Sequence, residues 1–241
     1  MKILDDLLAT LDYDAPVGDI RQGPFQTAVM SRSCGLAATV HDHDHPHGEA
    51  AVNGAGLLLG KNARELAHLA YSQSLLEASI GMATVNSLIE VDERSCVELN
   101  AAALLLEKGR GKKVAIVGHF PFVTKLRQDV GELWVIEKRP REGDFTENEA
   151  ESLLPQADVI GITGTAFTNH TVEHLLKLCH PEAYVVILGG TAPLSPVLFD
   201  YGIDAISGTR VVNPEMVLNC VSQGATFRQV QGVRLLTMKR G

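Results

Sequence analysis

The sequence predicts an α/β protein, a small α+β segment followed by a parallel-sheet domain, and three observations predict it. From about residue 113 onward, short apolar runs alternate with helical patterns, the grammar of a parallel sheet. The first of these runs, Val114–Val117, is four apolar residues ending in Gly118, as expected of a strand covered on both faces. Before residue 109 the chain does not alternate; it reads as a short meander followed by helices.

Taken in order, residues 3–11 form an amphipathic opening helix, and strand-like runs follow at 19–22, 27–31 and 35–40. A polar histidine loop comes next, then helical stretches at 63–70 and 73–89. Gly109-Arg110-Gly111-Lys112-Lys113 marks the change of pattern. Beyond it, strands are expected at 114–117, 133–136, 159–162, 183–188 and 205–207, with a late apolar stretch near 233–236. Helices fall between them at 122–129, 147–154, 168–178 and 214–223. Asn213 before Pro214 supplies an N-cap and a proline at the first helical position.

Composition narrows the function classes. The 241 residues carry a net charge of −8, which disfavours a nucleic-acid partner or an anionic membrane surface. The one basic cluster, Lys138-Arg139-Pro140-Arg141, is followed at once by Glu142 and Asp144. Four scattered cysteines without a C-x-x-C pair give neither a zinc ribbon nor a disulfide framework and point to a reducing cytoplasm. The acidic amphipathic N-terminus is unlike a signal peptide, and no apolar run has membrane-span length. A soluble, cytoplasmic protein is expected.

Open α/β sheets bind ligands at the carboxyl ends of their strands. Here those ends read Gly118-His119-Phe120-Pro121, Glu137, Thr163-Gly164-Thr165, Gly189-Gly190-Thr191-Ala192-Pro193 and Gly208-Thr209-Arg210. Short side chains let a ligand approach the backbone, and hydroxyls supply directional hydrogen bonds. Each such turn alone is also explained as a tight turn; several on one edge point to a pocket. Glu137, 19 positions after Gly118, suits a ribose hydroxyl, or simply pairs with Lys138 or Arg139. The turn lacks two of the three fingerprint glycines and Pro121 removes an amide, so NAD is disfavoured relative to a nucleoside-sized ligand. His119 is placed for general acid–base work, or for capping and packing. Arg210 could bind an anion bidentately or pair with Glu215.

Two further constellations stand out. In His41-Asp42-His43-Asp44-His45-Pro46-His47, imidazoles alternate with carboxylates, donors that suit a divalent transition metal. Pro46 and Gly48 make this a loop, better suited to weak metal binding than to a catalytic centre. A metallochaperone using His41, His43, His45 and His47 is therefore the alternative function. In residues 77–86, Gly81 and its small neighbours allow close packing of another backbone between domains, and Asn86 is a polar residue that could face a pocket across the domain boundary.

Glu77-Ala78-Ser79-Ile80-Gly81 with Asn86, Val117-Gly118-His119-Phe120-Pro121, Glu142-Gly143-Asp144 and Thr191-Ala192-Pro193-Leu194-Ser195-Pro196-Val197-Leu198-Phe199 together resemble the family called "putative heavy-metal chelation". The resemblance runs from about Val17 to the C-terminus; the histidine loop is not part of it. It implies an enolase N-terminal-like domain over 1–108 and a Rossmann-like domain, partly similar to methyltransferases, over 109–241. It also implies a pocket between the two, and condensation or hydrolysis in making pterin-, flavin- or siderophore-like chelators. The barrel that would carry enolase chemistry is absent. His119 and Asn86 are then the candidate catalytic residues, with Gly118, Phe120, Pro121, Glu137, Thr163, Gly164, Thr165, Gly189, Thr191, Pro193 and Arg210 as ligand contacts. The expected partner is a small heterocyclic or chelator-like molecule, and the apolar helices over 63–89 suit a homodimer.

Overall fold

The structure is a computed structural model and describes residues 1–42 and 49–241. Helix α1 (Lys2–Ala9) opens the chain. Strands β1 (Asp19–Gln22), β2 (Gln26–Met30) and β3 (Cys34–Ala38) form an antiparallel meander. Helices α2 (Ala63–Ala67) and α3 (Leu75–Leu88) follow. Both have side-chain N-caps: Asn62 in a reciprocal capping box with Glu65, and Ser74 accepting from Glu77 N.

The remaining elements build one large sheet. They are β4 (Cys96–Val97), α4 (Ala101–Gly109), β5 (Lys113–Val117), α5 (Val123–Asp129), β6 (Glu132–Glu137), β7 (Phe145–Thr146) and α6 (Ala150–Leu153). After these come β8 (Val159–Thr163), α7 (Thr165–Thr168), α8 (Val172–Leu178), β9 (Tyr184–Leu188), β10 (Ala205–Val211), α9 (Pro214–Ser222) and β11 (Val233–Lys239). The strand order is β4-β11-β10-β9-β8-β5-β6-β7, parallel from β10 to β7 and antiparallel at β11 and β4. The chain is thus α/β with a large, mostly parallel sheet.

Alternation along the strands divides the core into two faces. Ala115, Trp134, Ile136, Ile160, Ile162, Val185 and Ile187 pack into one apolar cluster; Val114, Ile116, Val135, Val159, Val186 and Leu188 pack into another. On the first face lie α1 through Ile3, Leu4 and Leu7, and α3 through Ile80, Met82 and Val85, so both sheets share a core. The second face is covered by α4 (Leu104, Leu105) and α5 (Val123, Leu126). A third cluster joins β3 through Leu36 to α9 through Val217 and Val221. Helix α3 is buried on every side, and Gly81 is what allows it: a Cβ there would lie 2.0 Å from the backbone nitrogen of Ala70. That close neighbour belongs to the turn following α2, within the first half of the chain.

Several boundaries differ from the sequence reading. The helix expected over 168–178 starts only at Val172, as α8, and Thr168 ends the separate α7, because His170 takes φ 61° and Asn169 Oδ1 accepts from the Thr171 hydroxyl and amide. The helix expected over 147–154 shrinks to α6, flanked by 3-10 turns. Strand β10 runs four residues past 207, because β11 pairs with it through Val211 after β9 has stopped at Ser207. Helix α4, capped by Asn100 on Ala103 N, and the two-residue strands β4 and β7 were not anticipated from the sequence. Among the described residues no helix is long and apolar enough to cross a membrane.

Candidate functional site

The order of the large sheet reverses between β5 and β8: β6 and β7 lie on one side of β5, β8 to β10 on the other. Such a switch point leaves a crevice at the carboxyl ends of the two flanking strands. A cavity of about 590 Å³ lies there. Gly118 closes β5 with φ 108°, and a Cβ there would come within 3.1 Å of Thr163. Its neighbour His119 donates its backbone N–H to Glu137 Oε1 at 3.0 Å, so the carboxylate ending β6 fastens the turn after β5. The hydroxyls of Thr163 and Thr165 lie 3.0 Å apart at the end of β8. Gly164 between them packs against the backbone of Ala192, where a Cβ would sit 2.4 Å from nitrogen.

Gly118, Glu137, Thr163 and Thr165 line the cavity as a group. Residues that sequence reasoning did not select complete it: Lys138, Glu147, Glu151, Asn169, Thr171 and His174, with Val40 from the edge of the meander. Glu147 and Glu151 come from consecutive turns of one helical run, an i,i+4 acidic pair that was legible but unremarkable without its fold. Lys138 Nζ lies 3.8 Å from Glu147 Oε2. Three carboxylates against one ammonium make the lining unfavourable for phosphate. The helix starting beside it, α7, has four residues and offers little dipole.

Other residues singled out from the sequence lie elsewhere. Phe120 stacks on Phe122 with centroids 5.2 Å apart and covers the ends of β5 and β9, its ring 3.2 and 3.8 Å from where Cβ atoms of Gly118 and Gly189 would be. Pro121 is exposed and Pro193 buried. Asn86 does reach across to the second half: Nδ2 donates to Leu36 O (2.9 Å) and Thr191 O (3.2 Å), while its buried Oδ1 has no partner. Thr191 Oγ1 accepts from Ala38 N at 2.9 Å, so Asn86 and Thr191 together join α3, β3 and the loop after β9. Arg210 lies within β10 and pairs with Glu93 (3.9 Å), the same carboxylate that Arg234 holds at 2.7 Å. The pairing of Arg210 with Glu215 is therefore replaced by one with Glu93.

Helix α3 also fastens both ends of the histidine segment. Ser79 Oγ accepts from Val40 N, and Glu77 accepts from Asn53 N at 2.7 Å and from the Ser72 hydroxyl. His41 Nε2 lies 2.8 Å from Pro24 O. His43, His45 and His47 fall outside the described residues. Among the described residues no three His, Cys, Asp or Glu side chains are grouped to hold a metal ion. The thiols do not help: burial, with the charge of Asp19 adding to it, pushes Cys34 up to about 11, and burial pushes Cys179 up to about 12. The described residues thus do not fit a resident metal.

A protein with a strand-end cavity at the switch point of a mostly parallel sheet, backed by a small antiparallel sheet and buried helices, is the class this fold and site define. The chain belongs to the family described as "Putative heavy-metal chelation": two models carrying that description match residues 4–89 and 100–239. An uncharacterized protein of Methanocaldococcus jannaschii is 28% identical over 196 residues, covering 78% of this chain and 73% of that one. A crystal structure of a protein of unknown function from Desulfitobacterium hafniense superposes with a TM-score of 0.87 at 26% identity, covering 99% of this chain and 98% of that one. A second, from Pyrococcus horikoshii, gives a TM-score of 0.83 at 18% identity, with coverage of 99% and 100%, and shares the fold.

Proposed function

We propose that the chain binds a small, hydrogen-bonding heterocycle or chelator-type molecule of the pterin, flavin or siderophore kind at the β5/β8 crevice and acts on it by condensation or hydrolysis. In this reading the large sheet is a Rossmann-like platform and the meander with its helices an enolase N-terminal-like partner. The observation that carries it is the lining of the cavity. Carboxylates of Glu137, Glu147 and Glu151 and hydroxyls of Thr163 and Thr165 accept hydrogen bonds from amino and ring N–H groups. The same lining repels a pyrophosphate, so a dinucleotide is a poor ligand. The metal that gives the family its description is then cargo of the organic ligand and not a resident ion.

Titration calorimetry with tetrahydropterin, riboflavin, a catechol and a hydroxamate, with NAD as comparison, tests the reading. At least one of the four is expected to bind, with affinity falling tenfold or more in Thr165→Trp, which fills the cavity, and in Glu137→Gln. Binding of NAD in preference to all four, indifference to both substitutions, or no binding by any of the four would refute it.

A further inference from the structure

The turn that carries His119 is completed by a residue 25 positions away. Asp144, whose side chain is only 3% exposed, places Oδ2 2.9 Å from His119 Nδ1, and the same oxygen accepts from Arg141 N at 3.0 Å. A carboxylate can only accept in this contact, so Nδ1 must carry the proton. The neutral imidazole is then the Nδ1–H tautomer, with its lone pair on Nε2. Among the described residues Nε2 has no hydrogen-bond partner, and the ring is 24% exposed. The amide of the same residue is fixed by Glu137, which lines the cavity, so backbone and ring are each held by a carboxylate.

We propose that Asp144 is a positioning residue that presets His119, in the turn next to the cavity-lining Gly118, as a proton acceptor for a ligand or water molecule bound at that turn. His119 Nε2 takes the proton of an acidic N–H or O–H of the bound molecule. One X–H bond breaks and one N–H bond forms. The imidazolium that results is stabilised by the Asp144 carboxylate already in place, and no oxidant or reductant is required. The ligand's identity rests on the reading of the cavity above, whereas the dyad is tested without that ligand.

Two measurements on the full chain decide it. Long-range 15N–1H NMR of histidine-labelled protein at neutral pH reads the tautomer of the His119 ring. The Nδ1–H form is expected in the wild type, lost in Asp144→Ala and restored in Asp144→Glu. A wild-type ring protonated on Nε2 overturns the proposal. The second measurement uses p-nitrophenyl acetate as a probe of an unprotonated, accessible imidazole. It is made in a background carrying His41→Ala, His43→Ala, His45→Ala and His47→Ala, so that those rings do not contribute. Cleavage is expected to fall at least tenfold in His119→Gln and severalfold in Asp144→Asn, with the circular dichroism of both unchanged. Equal rates with and without His119 overturn the proposal even if the tautomer is as expected. Failure of the cavity titrations with the dyad intact would instead leave His119 preset beside a site for another ligand.

Discussion

Asn86 gives the sharpest test of how the two sheets are held together. Its Nδ2 supplies donors to Leu36 O and Thr191 O, one on each side of the junction, while its Oδ1 is buried without a partner. Replacing it with alanine strands two carbonyls at about 1–3 kcal/mol each, toward the lower end because a carbonyl can keep a second partner. The same substitution removes the orphaned oxygen, returning about 1 kcal/mol. The net expectation for Asn86→Ala is a loss of about 2 kcal/mol. Asn86→Asp keeps the shape but faces both carbonyls with acceptors and buries a charge, so its loss should be larger, about 3–5 kcal/mol. For a chain of this size 2 kcal/mol corresponds to roughly 4–8 °C in Tm. Urea unfolding followed by circular dichroism reads both, with the slope against denaturant unchanged. If Asn86→Ala were as stable as wild type, or Asn86→Asp more stable than Asn86→Ala, the staple described here would be wrong.

Other expectations are independent of it. Gly164→Ala sets a methyl group against the backbone nitrogen of Ala192 and should cost about 3 kcal/mol or more, read by the same unfolding assay; a neutral effect would mean the loop after β9 yields freely. The raised thiols predict alkaline sensitivity. Below pH 9 both folded and unfolded thiols are protonated, and above it the unfolded chain ionises while folded Cys34 stays neutral to about 11 and Cys179 to about 12. Stability should therefore fall as pH rises from 9 toward 11, by on the order of 3 kcal/mol from Cys34 alone, and a Cys34→Ala, Cys179→Ala variant should show a shallower slope. The alternative reading, a metallochaperone using the histidine segment, predicts instead that metal uptake without any organic ligand depends on His41, His43, His45 and His47. Nickel or zinc binding measured on the variant with all four as alanine should be lost, and full retention would assign the metal to other residues of the chain.

What the sequence determined by itself is the part set by local pattern. Short β-branched apolar runs such as 114–117 and 159–162, bounded by turn residues, suit strands buried on both faces, and their alternation with helices leaves few arrangements besides a parallel sheet. The strand-end residues Gly118, Glu137, Thr163 and Thr165 were legible for the same reason, because strand ends converge once the sheet is parallel. Only the tertiary structure decided which strand ends are neighbours. The reversal between β5 and β8 puts Thr163 against Gly118 and leaves Arg210 within β10, three strands from β5, where Glu93 holds it. It also brought Asp144 to His119 across 25 residues and turned Asn86 into a staple between sheets. Hydrogen bonds of that range depend on where the backbone goes, and the side chains that make them carry no periodic signal in the chain.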